Sequence, residues 1–213
     1  MDSGWTEYAI ILVTFIILLS YHIHLVVQVR HNPLKTAIGT TNHSRRAWVE
    51  TMVEQKMALT AVQTLRNWTM AASLLASTAI LLSLAMLNFA FKAEKFSEIT
   101  QRVNLLGFHN ETLLLIKWLL PALLFFAAFF NFTLSIRYYN HAGFMINVPG
   151  EKDHSVTTEH LTGIVNRGAI HYHLGMRSYY LSVPFVMWLF GPIWMLAGAL
   201  LMTCILYKLD RIV

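Results

Sequence analysis

Cysteine is almost absent from this sequence, and charged residues are scarce. Cys204 is the only cysteine among 213 residues, which excludes a disulfide within the chain or a site built from several thiolates. Charged residues make up 13% of the chain, against ~25% in an average protein. The sequence also lacks a glycine-rich phosphate loop, a nucleophile elbow and paired carboxylates within an apolar run. These absences disfavour an enzyme.

Hydrophobic residues are abundant, at 56% of the chain, and they gather in long runs. Four runs are each long enough to span ~30 Å of hydrocarbon, at 9–29, 68–91, 113–136 and 179–207. They predict an all-α polytopic membrane protein with four transmembrane helices in a bundle, forming one domain over residues 1–213. The segment before the first run, MDSGWTEY, is acidic, unlike a cleaved signal peptide, and we expect it to be retained.

The first connection is predicted to hold a loop and then a helix. Pro33 and Gly39 indicate a loop, and Ser44 is a good N-cap for the helix that follows. Over 45–65, apolar residues recur with the period of an α-helix. This pattern predicts an amphipathic cytoplasmic helix that is continuous with the second span or, alternatively, lies on the lipid headgroups.

The third connection is predicted to hold a second short amphipathic helix, from Ser155 to about Tyr172. A turn is expected at 148–150 before it. Pro184 and Pro192 interrupt the last apolar run, and we expect them to kink the fourth span.

The distribution of lysine and arginine predicts the topology. The first connection carries six of these residues and the third carries four, against three in the second and two in the tail. Basic residues near span ends favour the cytoplasm. We therefore expect residues 30–67 and 137–178 to be cytoplasmic and both termini to lie outside, in a bacterial inner membrane or a plasma membrane.

Histidines are concentrated in the stretches SYHIHLVVQVRHNP (20–33) and GAIHYHLGMRSYYLSVPF (168–185). Residues two apart on a helix point about 200° from each other, so neither His-x-His pair can chelate one ion from a single helix. Two alternatives follow: histidines from different helices hold haem or copper, or they are interfacial residues satisfied by backbone, water or headgroups. The candidate metal ligands are His22, His24, His141, His171 and His173.

Four arginines each lie at the cytoplasmic end of a different predicted span. They are either the basic residues that ordinarily flank membrane spans on the cytoplasmic side, with an aromatic belt at the same level, or the lining of a basic cavity. Such a cavity would bind an anionic lipid headgroup or an acidic metabolite, because arginine offers paired donors to phosphate or carboxylate. We expect Arg137, His141 and Arg177 to line it. The candidate ligand-binding residues are Arg30, Arg66, Asn67, Arg137, Tyr138, His141, Arg177 and Tyr180.

Several long motifs resemble one known family. The segments VRHNPLKTAIGTTNHSRRAWV, AVQTLRNWTMAASLLASTAI, SIRYYNHAGFMINVP and LGMRSYYLSVPFVMWLFGPIWM are similar to the domain of unknown function 599 family, small membrane proteins of bacteria and plants. The resemblance covers roughly residues 20–207. It implies a four-helix membrane protein and supplies no reaction. Its motif does not require histidines at 171 and 173.

Three functions are compatible with these observations. The first is a non-catalytic accessory subunit or homo-oligomer that binds lipid or a small anion at a basic, aromatic-rich cytoplasmic-side cavity. The second is a haem- or copper-binding redox component. The third is a small transporter or channel, which the absence of acidic residues from the predicted spans disfavours. We expect membrane lipids, further copies or a larger membrane complex as partners, and no nucleic acid.

Overall fold

The chain forms six α-helices within the residues that the structure, a computed structural model, describes: 2–92, 111–148 and 157–211. In chain order they are α1 (Asp2–His31), α2 (Ala37–Glu54), α3 (Ala58–Phe91), α4 (Glu111–Met145), α5 (Thr158–Met187) and α6 (Pro192–Asp210). The predicted turn at 148–150 and most of the second connection lie outside these residues.

Four helices are long and apolar enough to cross a membrane, as the sequence predicts. They cover Trp5–His31, Ala58–Phe91, Thr112–Met145 and Pro192–Asp210. The all-α polytopic architecture is therefore confirmed. At about 1.5 Å per residue, α3 is about 50 Å long and exceeds the hydrocarbon thickness, so part of it extends beyond the bilayer.

The first connection is more helical than predicted, and its helix is interrupted between Glu54 and Ala58, where the sequence predicts a continuous helix. Helix α2 begins at Ala37 because the Thr36 hydroxyl caps it, accepting a hydrogen bond from the Gly39 N–H at 3.2 Å. The predicted N-cap at Ser44 is therefore wrong. The helix predicted over 45–65 is interrupted by a turn at which Lys56 adopts a positive φ of 53°. Helix α3 then continues into the second span without a break.

The last apolar run folds back on itself instead of forming one kinked span. Helix α5 ends at Met187, and the chain reverses at Gly191, where φ is 127°. Pro192 then occupies the first turn of α6. Gly198 packs against α5, since a Cβ there would lie 2.6 Å from the Met187 sulfur. Helices α5 and α6 are therefore an antiparallel pair.

This reversal determines where the two ends of the chain lie. Glu7 pairs with Lys117 at 2.9 Å, and the Lys117 ammonium lies 5.4 Å from the Trp188 ring in the α5–α6 turn. We call this side of the bundle the Lys117 end. Arg211 forms a backbone bridge with Thr36, beyond the last turn of α1, which defines the opposite Arg211 end. Glu7 and Arg211 therefore lie at opposite ends of the bundle, because α5 adds one further crossing of it. The prediction that both termini lie outside the cell stays a prediction.

Helix α4 is central to the packing. It lies between α3 and α5, while α6 packs against both α1 and α5. Phe132 of α4 is fully buried and lies against the ring of Tyr172, and Tyr139 contacts α5 at Gly168. At the Arg211 end, α2 packs across α5 and covers this contact.

The reversal at Gly191 gives a stability prediction. The backbone there occupies a region that only glycine adopts readily, so Gly191→Ala should lower the free energy of unfolding by about 1–3 kcal/mol. Gly163→Ala is the matched control, because a Cβ at this helical position meets no atom within 4 Å; it should stabilise by about 0.5–1 kcal/mol. Denaturation in micelles, followed by circular dichroism, measures both. Equal effects would contradict the assigned turn.

The positions of the chain ends predict a labelling pattern. In a Cys204→Ser background, cysteines replacing Thr41 and Arg211 should react with a membrane-impermeant maleimide from the same side of sealed vesicles. A cysteine replacing the exposed Trp5 should react only from the other side. Reaction of the Trp5 and Arg211 replacements from one side would contradict the α5–α6 reversal.

Candidate functional site

A buried ion pair joins α5 and α6 near the Arg211 end. The Arg177 guanidinium donates through Nη2 to Asp210, and both side chains are about nine-tenths buried. Tyr21 of α1 donates its hydroxyl proton to the same Asp210 oxygen. The carboxylate therefore connects three helices. A buried charge is tolerated only when an opposite charge and hydrogen bonds compensate for its lost hydration, and Asp210 has both.

The Arg177 guanidinium is only partly satisfied by this arrangement. Its Nε donates to Nε2 of His173 at 3.2 Å, which requires that this imidazole nitrogen carries no proton. Its Nη1 is buried and has no hydrogen-bond partner among the described residues. A buried donor left without a partner costs about 1–3 kcal/mol, and more when the group is charged. The fork of Arg177 therefore has an unused donor.

Arg177 lines a cavity of about 640 Å³ between α2, α3, α5 and α6, which we call the inner cavity. Much of its wall is apolar, including Ile38, Trp68 and Leu206. Its polar lining is Thr41, Asn42, Arg45, Tyr139, Tyr172, His173, Arg177, Tyr180 and Asp210.

Arg45 of α2 supplies a second guanidinium to the inner cavity. Its Nε donates to the Asn166 side chain at 3.2 Å, and its Nη2 donates to Asn42. Burial lowers the pKa of Arg45 from its ordinary value. The side chain stays charged because arginine is not deprotonated in proteins. A neighbouring anion would therefore be favoured, since both hydrogen-bond partners of this cation are neutral.

The eight predicted ligand-binding residues do not share one cavity. Arg177 and Tyr180 line the inner cavity. A separate pocket of about 390 Å³, between α4 and α5, is lined by Arg137, Tyr138 and His141. The remaining three residues lie apart: Arg66 borders a groove between α3 and α4, and Arg30 and Asn67 are exposed.

The predicted metal ligands are also dispersed. Nδ1 of His22 lies 2.7 Å from the Leu18 carbonyl oxygen of its own helix, and His24 is exposed. His171 contacts the Asn131 side chain at 3.1 Å, His173 accepts from Arg177, and His141 is exposed. Across residues 2–92, 111–148 and 157–211, no three histidine, cysteine or acidic side chains are grouped to hold a metal ion.

Sequence reasoning missed two buried carboxylates. Asp210 lies at the last residue of α6, and Glu7 lies in the second turn of α1, paired with Lys117. The side chains of Lys117 and Glu7 are 3% and 1% exposed, so this pair is buried within the bundle. Both acidic residues fall at the edges of apolar runs, where hydropathy does not separate a buried charge from an interfacial one. A lysine within such a run, as Lys117 is, is the signal that a partner is required.

The ion pair between Arg177 and Asp210 predicts a large effect on stability. Asp210→Asn should lower the free energy of unfolding by about 3 kcal/mol or more, because it leaves Arg177 buried without a counter-ion. The double variant Asp210→Asn with Arg177→Met should lose less free energy of unfolding than the sum of the losses in the two single variants. Glu50→Gln, which removes the exposed pair with Arg46, should change stability by less than about 1 kcal/mol. Equal effects of Asp210→Asn and Glu50→Gln would show that the pair is not buried.

Comparison with known proteins identifies the family and adds no activity. No curated protein and no solved structure matches the chain. One family model, described as "Protein of unknown function, DUF599", matches residues 9–213 and so covers nearly the whole chain, including every residue that lines the inner cavity. The resemblance seen in the sequence motifs is thus confirmed, and the chain belongs to the DUF599 family.

Proposed function

We propose that this protein is a non-catalytic membrane protein that binds the anionic group of an amphipathic ligand in the inner cavity. The observation that carries the proposal is the unused, buried Nη1 donor of Arg177. A phosphate or carboxylate oxygen is the natural acceptor for such a donor, because charge-assisted hydrogen bonds are about twice as strong as neutral ones.

The charge of the inner cavity supports an anion. Two guanidiniums, of Arg45 and Arg177, line it together with a single carboxylate, that of Asp210. His173 adds no positive charge, since its Nε2 accepts a hydrogen bond from Arg177. One unit of positive charge is therefore uncompensated within the lining, and a monovalent anion would balance it.

The walls of the cavity support an apolar body attached to that anion. Trp68, Ile38, Leu206 and Leu209 contribute side chains that cannot hydrogen-bond to a small polar solute, apart from the indole N–H. The volume of about 640 Å³ falls within the ~300–1,000 Å³ typical of ligand pockets. An anionic lipid headgroup with part of its chain, or an acidic metabolite with an apolar portion, has this chemistry.

The basic residues support a cytoplasmic location for the cavity. Helix α2 and the connections at 30–67 and 137–178 carry most of the lysine and arginine, which favours the cytoplasm. Because the cavity lies at the same end as Thr36 and Arg211, we place the Arg211 end in the cytoplasm and the start of α1 outside. A bacterial inner membrane or a plasma membrane remains the proposed location.

A transporter is the second candidate, and one observation favours it. The sequence disfavoured this function only because acidic residues avoid the predicted apolar runs. Glu7 and Asp210 are nevertheless buried carboxylates, one near each end of the bundle. Buried ionisable residues in membrane helices commonly mark ion or substrate pathways. The proposal that the protein is a homo-oligomer or a subunit stays a prediction.

Arg45 and its neighbour Arg46 provide a matched test of the proposal. With the full-length protein in phosphatidylcholine nanodiscs, decanoate should bind, as measured by calorimetry, and decanol should bind at least tenfold more weakly. Arg45→Gln should weaken decanoate binding by about tenfold or more, since hydrogen bonds to charged groups contribute ~1.5–3 kcal/mol. Arg46→Gln should leave it unchanged, because Arg46 is exposed and pairs with Glu50.

Two outcomes would contradict the proposed function. Equal binding of decanol and decanoate would show that the cavity does not select an anion. Unchanged decanoate binding by the Arg45→Gln protein, with its fold verified by circular dichroism, would show that the anion lies elsewhere. Flux of decanoate into sealed vesicles, abolished by Asp210→Asn but not by Glu50→Gln, would favour the transporter.

A further inference from the structure

A second basic site lies between α4 and α5, outside the inner cavity. Its lining follows the helical spacing i, i+4, i+7 on each helix, so that one edge of α4 faces one edge of α5. The volume is about 390 Å³. Six residues form these two edges: Arg137, His141 and Phe144 of α4, and His160, Ile164 and Arg167 of α5. We call this site the basic pocket.

Close packing of α4 on α5 brings the two arginines to the same level. Gly168 lies against the Tyr139 ring, where a Cβ would come within 2.7 Å, and Gly175 lies against Phe132 in the same way. The two contacts show that the helices run antiparallel, with later residues of α5 facing earlier residues of α4. In this register Arg137 and Arg167 lie within about one helical turn of the same level.

The two arginines of the basic pocket have no acidic partner among the residues that the structure describes. The described lining includes these two arginines and two histidines and no acidic side chain. Neither Arg137 nor Arg167 makes an ion pair or a side-chain hydrogen bond within the described parts of the chain. Both arginines are exposed and border one pocket. Like charges repel where they approach each other, and a bound anion would relieve this repulsion.

We propose that the basic pocket binds a phosphate group, of a lipid headgroup or of a soluble phosphate. Arginine fits this anion because its planar fork donates two parallel hydrogen bonds to phosphate oxygens. Two arginines at one level can balance a doubly charged phosphate monoester. Tyr138 also lines the pocket, and its ring is stacked on His171 at a centroid distance of 5.5 Å, so this wall is held in place.

The basic pocket is independent of the inner cavity proposed above as the ligand site. The two are lined by different residues, and they lie on opposite sides of the contact between Tyr139 and Gly168. Variants of one site should therefore leave the other unchanged, and either proposal can fail alone.

Binding of two phosphate probes tests the proposal. The full-length protein in phosphatidylcholine nanodiscs would be titrated with inorganic phosphate and, separately, with short-chain dihexanoyl phosphatidic acid, by calorimetry. The variant combining Arg137→Gln and Arg167→Gln should lose at least tenfold in affinity for the probe that binds. Arg30→Gln is the matched control: Arg30 is exposed and lies outside the basic pocket, and this variant should lose less than twofold.

The two probes distinguish the source of the phosphate. If the wild-type protein binds inorganic phosphate and the double variant does not, the ligand is a soluble phosphate. If the wild-type protein binds only phosphatidic acid, and the double variant loses that binding, the ligand is a lipid headgroup. The proposal is overturned if the wild-type protein binds neither probe. It is also overturned if Arg30→Gln weakens phosphate binding as much as the double variant does. Weaker binding by Arg45→Gln, with unchanged binding by the double variant, would overturn it as well.

Discussion

An arginine and an aspartate can share an apolar bundle only when each is paired and hydrogen-bonded, because desolvation of an isolated ion costs several kcal/mol. Arg177 and Asp210 meet this condition through each other and through Tyr21 and His173. The pair requires the last residue of α6 to lie beside the middle of α5. That requirement is compatible only with a reversed α6, so the path of the last third of the chain depends on this contact.

The same pair shapes the chemistry of the inner cavity. Asp210 neutralises one guanidinium, that of Arg177, and Tyr21 donates to the same carboxylate oxygen. Because Arg177 is anchored at Nε and Nη2, its remaining nitrogen is held without rotation. A donor held in this way loses little further entropy when it forms a hydrogen bond.

Much of the helical framework could be predicted from the sequence, because an apolar run of sufficient length in a membrane protein must satisfy its own backbone as a helix. The direction of a helix has no such signature. The run over 179–207 contains a reversal at Gly191, and hydropathy is the same for a straight span and for a hairpin. Asp210 was missed for a related reason: its partner lies 33 residues away, and only the fold brings them together. Arg177 could be identified as a candidate, since an arginine at the end of a span that turns into the bundle needs a partner.

The arginines were predicted to form one vestibule, and the helix geometry explains why they form two sites. Tyr138 and Tyr139 are consecutive on α4 and therefore point about 100° apart, one towards the basic pocket and the other towards the inner cavity. The contact of Tyr139 with Gly168 fills the space between them. Interiors packed this closely leave few voids, so this contact separates the two sites inside the bundle. On the two proposals above, the sites have different linings, one largely apolar and one basic, and each would recognise its own group.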